Sequence, residues 1–217
     1  MTYTGQVEVD GAVDVQQAGD LEITKFAVGE LANNVYVLRC TLTNERAIID
    51  AADNAERILD VLDGAAVARV VTTHWHPDHW QALKAVVDAT GAETIAGAVD
   101  AEHIEVPTSS PVNTGARVRV GSCELEVIEV AGHTEGSIVL AYDDPDGIVH
   151  LFTGDSLFPG GIGKTWSEAD FATLIDEVST KLFDRFPDDT HFYPGHGNDS
   201  TLGAERPHLD EWRKRGW

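Results

Sequence analysis

His74-Trp75-His76-Pro77-Asp78-His79-Trp80 packs three imidazoles and a carboxylate into six positions, just after the apolar run Val67, Val70, Val71 and the pair Thr72-Thr73. Imidazole and carboxylate are the usual ligands of zinc and other borderline divalent metals. Side chains two apart share a face of an extended segment but point apart on a helix. Pro77 pushes His76 out of the helical region, so His74 and His76 are expected to point the same way at the end of a strand. Beyond Pro77 the pattern turns helical, which places Asp78 and His79 at or near the first turn of a new helix. Four donors therefore meet where a strand ends and a helix begins.

Three later segments carry further candidates: Ala131-Gly132-His133-Thr134-Glu135-Gly136-Ser137, Phe152-Thr153-Gly154-Asp155-Ser156-Leu157-Phe158 and Tyr193-Pro194-Gly195-His196-Gly197. Asp155 and His196 each sit in a Gly-rich turn after an apolar strand, where backbone can approach a metal closely. His-x-His-x-Asp-His followed by these segments, in this order, resembles the metal-binding signature of the metallo-β-lactamase superfamily. Within it the sequence looks like the short glyoxalase II-like (hydroxyacylglutathione hydrolase-like) hydrolases. The resemblance covers the chain from about Asp50 to Gly197.

That resemblance implies an α/β fold, the four-layer αβ/βα sandwich, with the site in a cleft at one edge of the sheets. It also implies two divalent metal ions, zinc first and iron or manganese as alternatives. Carried over residue by residue, His74, His76 and His133 hold one metal, Asp78, His79 and His196 hold the second, and Asp155 bridges them. Asp50, at the end of a strand, lies near the site and orients a ligand histidine. Two adjacent metals lower the pKa of a bridging water toward about 7 and polarise a carbonyl. The implied reaction is hydrolysis of a small thioester or ester by hydroxide generated at the metals, with Asp78 as the catalytic residue that orients it and handles its proton. A mononuclear iron persulfide dioxygenase and a lactonase are the alternatives within the same superfamily.

Lys164 lies in the Gly-rich stretch Pro159-Gly160-Gly161-Ile162-Gly163-Lys164-Thr165-Trp166, nine residues after Asp155. A cation there is expected to reach an anionic substrate group near the metals. Trp75, Trp80 and Trp166 are candidates for the cleft walls. His103, His150, His191 and His208 match no ligand motif and are read as structural or surface residues. Glyoxalase II proper carries a basic C-terminal helical region that grips glutathione. Here about twenty residues follow His196, with Arg206, Arg213, Lys214 and Arg215 as their only basic ones.

Composition sets the outer bounds. At 217 residues, a single metallo-β-lactamase-like domain over 1–217 is expected. Thirty-seven acidic against 15 basic residues give a net charge of −22, which repels nucleic acid and anionic lipid and leaves a small-molecule substrate as the expected partner. No apolar run reaches the ~18 residues of a membrane span. Residues 1–19 are polar and acidic without a secretory pattern, so a cytoplasmic location is expected. Cys40 and Cys123 are expected to be buried free thiols.

Hydrophobic periodicity gives strands at Leu21 to Val28, Asn34 to Leu38, Ala47 to Asp50, Val67 to Thr72, Glu93 to Ala96, Arg117 to Val120, Leu125 to Val130, Ile138 to Tyr142, Val149 to Phe152 and His191 to Tyr193. Helices are expected at Ala55 to Leu62, from about Asp78 to Thr90, and beyond the capping box Ser167-x-x-Asp170. Residues 1–19 read as a loosely ordered lead-in, Pro107 to Gly115 as a surface loop, and 198–217 as a short tail.

Overall fold

Strands that are apolar at nearly every position need cover on both faces, and the layering of this protein provides it. The computed structural model describes residues 2–216; Met1 and Trp217, the ends of the expected lead-in and tail, lie outside them. One sheet holds β1 (Asp14–Ala18), β2 (Leu21–Val28), β3 (Asn33–Cys40), β4 (Arg46–Ile49), β5 (Arg69–Thr72), β6 (Glu93–Gly97) and β7 (Ser110–Val112), side by side in chain order. Pairing is antiparallel from β1 to β4 and parallel from β4 to β7.

The second sheet holds β8 (Arg117–Val120), β9 (Cys123–Glu129), β10 (Ile138–Asp143) and β11 (Val149–Gly154). A small separate hairpin follows, β12 (Leu157–Phe158) with β13 (Gly161–Ile162). Then β14 (His191–Pro194) adds in parallel to β11, and β15 (Ser200–Thr201) closes that edge.

Alternate residues along each strand feed different cores. Ala47 and Ile49 point between the sheets, whereas Ile48 packs outward against Ile58 and Leu62 of α1 (Ala55–Leu62) and Leu83 and Val86 of α2 (Leu83–Thr90). In the second sheet Tyr193 enters the central core. Phe192 packs outward with Leu174 and Val178 of α3 (Glu168–Val178), and α4 (Leu202–Glu205) and α5 (Leu209–Arg215) add Leu202 and Trp212. The order is helix, sheet, sheet, helix, the four-layer sandwich that the family resemblance implied. Ser167 caps α3 by accepting from the Asp170 amide, as the capping box requires. Cys40 and Cys123 are buried and unbridged.

Four local expectations are corrected. The lead-in is ordered where it meets the sheet: Asp14–Ala18 is edge strand β1, and the Asp14 carboxylate accepts from the Thr4 and Gly5 amides at 2.8 and 2.9 Å. The helix expected from Asp78 is two pieces. Pro77–His79 is a single 3-10 turn, Trp80 leaves the helical region (φ −145°), and α2 starts only at Leu83. The stretch 107–115 contains β7, paired with β6. The tail is packed: Trp212 is only 1% exposed.

Lys25 ties the two ends of the chain together. Its buried ammonium donates to the Gly5 and Gly197 carbonyls at 2.8 Å each and to Asp199 Oδ1 at 2.6 Å, and Asp199 also accepts from the Tyr3 hydroxyl. Three partners satisfy the three N–H bonds, the condition under which a buried charge is tolerated.

The first sheet meets the β9–β10 turn of the second closely at the end of β6. A Cβ on Gly97 would lie 2.1 Å from the Gly136 carbonyl oxygen. Gly97→Ala is predicted to cost about 1–3 kcal/mol by overpacking, read as a lower urea midpoint. An unchanged midpoint would show that the sheets yield there.

Candidate metal centre

The site forms where β4, β5, β11 and β14 end together. Asp50, just past β4, has φ +57°, a left-handed conformation that an aspartate tolerates better than most residues. This turns its carboxylate back under the His74–His79 segment. Oδ1 accepts from the Thr73 amide at 2.7 Å; Oδ2 accepts from the Thr73 hydroxyl and from His79 Nδ1, each at 2.8 Å. Because the Thr73 proton is committed to Asp50, Thr73 Oγ1 can only accept from His74 Nδ1, 3.1 Å away. Both histidines therefore present Nε2 to the cleft.

Backbone carbonyls do the same for two others: His133 Nδ1 donates to Lys164 O at 2.7 Å, and His196 Nδ1 to Leu31 O at 3.0 Å. His76 is extended, with φ −60° and ψ 133°, as the residue before proline should be. Its Nδ1 lies 2.9 Å from His133 Nε2.

Ligand atoms of these residues fall into three groups, each within 4.8 Å: His74, His76, His133; His74, His79, Asp155; and Asp78, His79, His196. All seven residues expected as ligands are thus brought together. Asp155 lies between the two outer groups, 3.4 Å from His79 Nε2 and 3.6–3.7 Å from His196 and His133. The Gly195 turn allows this approach, since a Cβ there would stand 2.3 Å from Asp155 Oδ1.

The electrostatics suit cation binding. Burial holds His74 and His133 below the ordinary imidazole value and brings His76 down to about 4, so these three are neutral donors at pH 7. Burial opposes the charged form of Asp78 as well. The His196 hydrogen bond, the His79 charge and the Asn33 amide outweigh it and keep the carboxylate ionised. Burial likewise opposes charge on His79 and His196, but the neighbouring carboxylates outweigh it and raise both, so these two would release a proton when a metal cation takes its place. His74 Nε2, His79 Nε2 and Asp155 Oδ1 are buried without a hydrogen-bond partner. Buried polar atoms are seldom left unmatched, and these three face one another. The donor set, mixed imidazole and carboxylate, fits divalent zinc, iron or manganese.

Residues 28–196 match the family model of the metallo-beta-lactamase superfamily. The chain belongs to that superfamily. A hydroxyacylglutathione hydrolase of Polaromonas sp. is 34% identical over 163 residues, 74% of this chain; the chain spans about 60% of that relative's length. Among solved structures, ETHE1 from Myxococcus xanthus superposes with a TM-score of 0.76 at 26% identity, covering 88% of this chain and 84% of that one. TTHA1623 in a di-iron-bound form gives 0.67 at 26% identity, covering 83% and 95%.

Two polar residues that the sequence reading passed over hold this superfamily centre in shape. Asn33 Nδ2 donates to Asp78 Oδ2 at 2.9 Å and lies 3.4 Å from His196 Nε2. Asp100, fully buried, accepts from the Trp75 amide at 3.0 Å, the Thr134 hydroxyl at 2.6 Å and the Gly136 amide at 2.7 Å. It thereby joins the backbone between His74 and His76 to the backbone just after His133. Neither residue had a sequence signal beyond being a polar group in an apolar neighbourhood.

Lys164 is exposed, and its carbonyl, not its ammonium, touches a ligand; Nζ stands 4.4 Å from the centre of the Trp166 ring. Trp75 and Trp166 line a cavity of about 570 Å³ that opens beside His133. Trp80 does not line it; its indole donates to the Trp75 carbonyl at 2.8 Å. His150 is structural, as expected, set between Tyr193 and Asp144. His103, read as a structural or surface residue, leans on Trp75 with the ring centres 5.5 Å apart and the planes tilted by 47°, and lines the same cavity. Among the described residues no helix is long and apolar enough to cross a membrane.

Asp50→Ala removes the acceptor of His79 and the anchor of Thr73. It is predicted to weaken metal binding about 10- to 100-fold in chelator competition; unchanged affinity would dismiss the orienting role. Asp100→Ala is predicted to weaken the position built from His74, His76 and His133 about tenfold while sparing the other. Equal loss at both positions would make Asp100 merely a fold residue.

Proposed function

We propose that the protein is a binuclear metal-dependent hydrolase of small thioesters or esters, similar in chemistry to the hydroxyacylglutathione hydrolases it resembles. One observation carries this reading: seven imidazoles and carboxylates converge, three of their buried ligand atoms lacking any other partner. His74, His76 and His133 would hold one ion, Asp78, His79 and His196 the other, with Asp155 shared; zinc is the first expectation and iron or manganese the alternatives. When bound, such a pair supplies Lewis acidity toward a carbonyl and a water more acidic than in bulk.

The chain's own groups do the rest. Asp78, kept ionised and pinned at Oδ2 by Asn33, is the acceptor for the proton of the attacking water. A thiolate leaves without further protonation, which favours thioesters over amides. The Nδ1 hydrogen bonds of His74, His79, His133 and His196 hold the ligand nitrogens in place, so little reorganisation accompanies the reaction. The two buried, unbridged thiols support work in a reducing compartment, the cytoplasm.

A second reading rests on a specific group. His74, His79 and Asp155 form a two-histidine, one-carboxylate set within 4.8 Å, the donor pattern of non-haem iron oxygenases. On that reading one iron serves persulfide oxidation.

Elemental mass spectrometry of protein purified without added metal separates the two. About two ions per chain, with turnover of S-lactoylglutathione, another thioester or a lactone, is the result expected. About one iron, with oxygen uptake on glutathione persulfide, would replace the first reading by the second. His79→Ala is predicted to halve the metal content and cut thioester turnover at least 100-fold; undiminished turnover would remove the binuclear mechanism.

A further inference from the structure

We propose that the cleft beside His133 receives a positively charged organic group, an alkylammonium, as the non-reacting end of the substrate; this rests on the hydrolase reading and narrows its substrate class. The cleft, about 570 Å³, opens directly at His133, so a molecule reacting at the ligand cluster extends into it. Trp75 and Trp166 both approach the His76 ring, 4.7 and 6.2 Å from it between ring centres. Indole faces attract cations more strongly than any other side-chain ring.

Besides His133 itself, His103, Thr134 and Thr173, the polar lining is carboxylate, with Asp100 buried and committed to its own hydrogen bonds. Glu135 and Asp170 both face the cleft. Asp170 Oδ2 accepts from the Ser167 hydroxyl, while Glu135 is exposed and, among the described residues, has no ion-pair or hydrogen-bond partner. No arginine or lysine of the described residues lines the cleft. Three of the four basic residues near the end of the chain are engaged elsewhere: Arg206 binds Asp188 and the Phe183 and Phe186 carbonyls, Arg213 binds Asp176, and Arg215 donates to the Gly160 carbonyl; Lys214 does not line the cleft.

One basic side chain touches the wall, and it does so as a cation on an indole. Lys164 Nζ lies 4.4 Å from the Trp166 ring centre, with no carboxylate of the described residues within ion-pair distance. An ammonium on this ring is the arrangement a substrate cation would adopt. A polyanionic thiol would meet the Glu135 and Asp170 carboxylates, a single lysine and the buried Asp100, within the field of a chain carrying −22.

Three acetyl thioesters of similar size make the test on metal-loaded enzyme at fixed ionic strength. They are acetylthiocholine, its neutral 3,3-dimethylbutyl isostere, and S-acetyl-3-mercaptopropionate. The cation is expected to exceed the isostere in kcat/KM by roughly 3- to 30-fold, mostly through KM, with the carboxylate last. Glu135→Gln and Trp166→Leu should each shrink that lead toward unity. Equal values overturn the proposal, and so does a lead for the carboxylate that Lys164→Ala removes, which would make Lys164 an anion-binding residue. If none of the three is hydrolysed, the hydrolase reading fails on its own account, and binding decides the present one. Indole NMR resonances of Trp75 and Trp166, assigned with Trp→Phe variants, should shift with tetramethylammonium chloride but not with equimolar sodium chloride. Unmoved indoles would overturn it.

Discussion

Asp50 is the constraint on which the rest of the centre depends. One carboxylate accepts from the Thr73 amide, the Thr73 hydroxyl and His79 Nδ1, and through Thr73 it dictates the tautomer of His74. Two imidazoles on one segment thus have their free lone pairs chosen by a single buried group. Its left-handed backbone is the cost of turning it there. Metal affinity depends on the orientation of the imidazoles as well as on their number, so Asp50 would act on a bound metal without touching it.

The fold explains why ligands so far apart in sequence meet. Parallel pairing of β4 with β5 and of β11 with β14 brings strand ends carrying Asp50, His74, Asp155 and His196 to the same edge. Both sheets are covered on their outer faces by helices and share one central core, so that edge is rigid. Asp100 extends the arrangement sideways, joining the segment after β5 to the turn before β10 through three hydrogen bonds. Clefts at the carboxyl ends of parallel strands are a general consequence of this kind of layering.

Much of this was legible because it is local. His-x-His-Pro-Asp-His declares its geometry through the spacing of two and the proline, and Gly-rich turns after apolar runs mark Asp155 and His196. Asp100 and Asn33 were not legible, since their partners lie 25 to 45 residues away and nothing beside them in sequence hints at the contact. The break after His79 was missed for a different reason. The apolar period runs on through Leu83, Val86 and Val87, but the Ala82 amide is drawn to the Ala51 and Ala52 carbonyls, which fixes the chain beneath the site before α2 begins. Strand β1 escaped detection because an edge strand with one solvated face carries little apolar signal.

The Lys25 lock has a consequence for how the molecule opens. Its ammonium holds Gly5 near one end of the chain and Gly197, the neighbour of a ligand histidine, in a single knot with Asp199. Asn34 and Tyr36 hold the same turn through the Pro194 and Gly197 carbonyls. Residues 3–5 therefore cannot peel away without loosening one of the ties on the loop that presents His196. Any cation held by that histidine protects the N-terminal arm by mass action, and susceptibility of the arm to a protease becomes a remote gauge of how full the centre is.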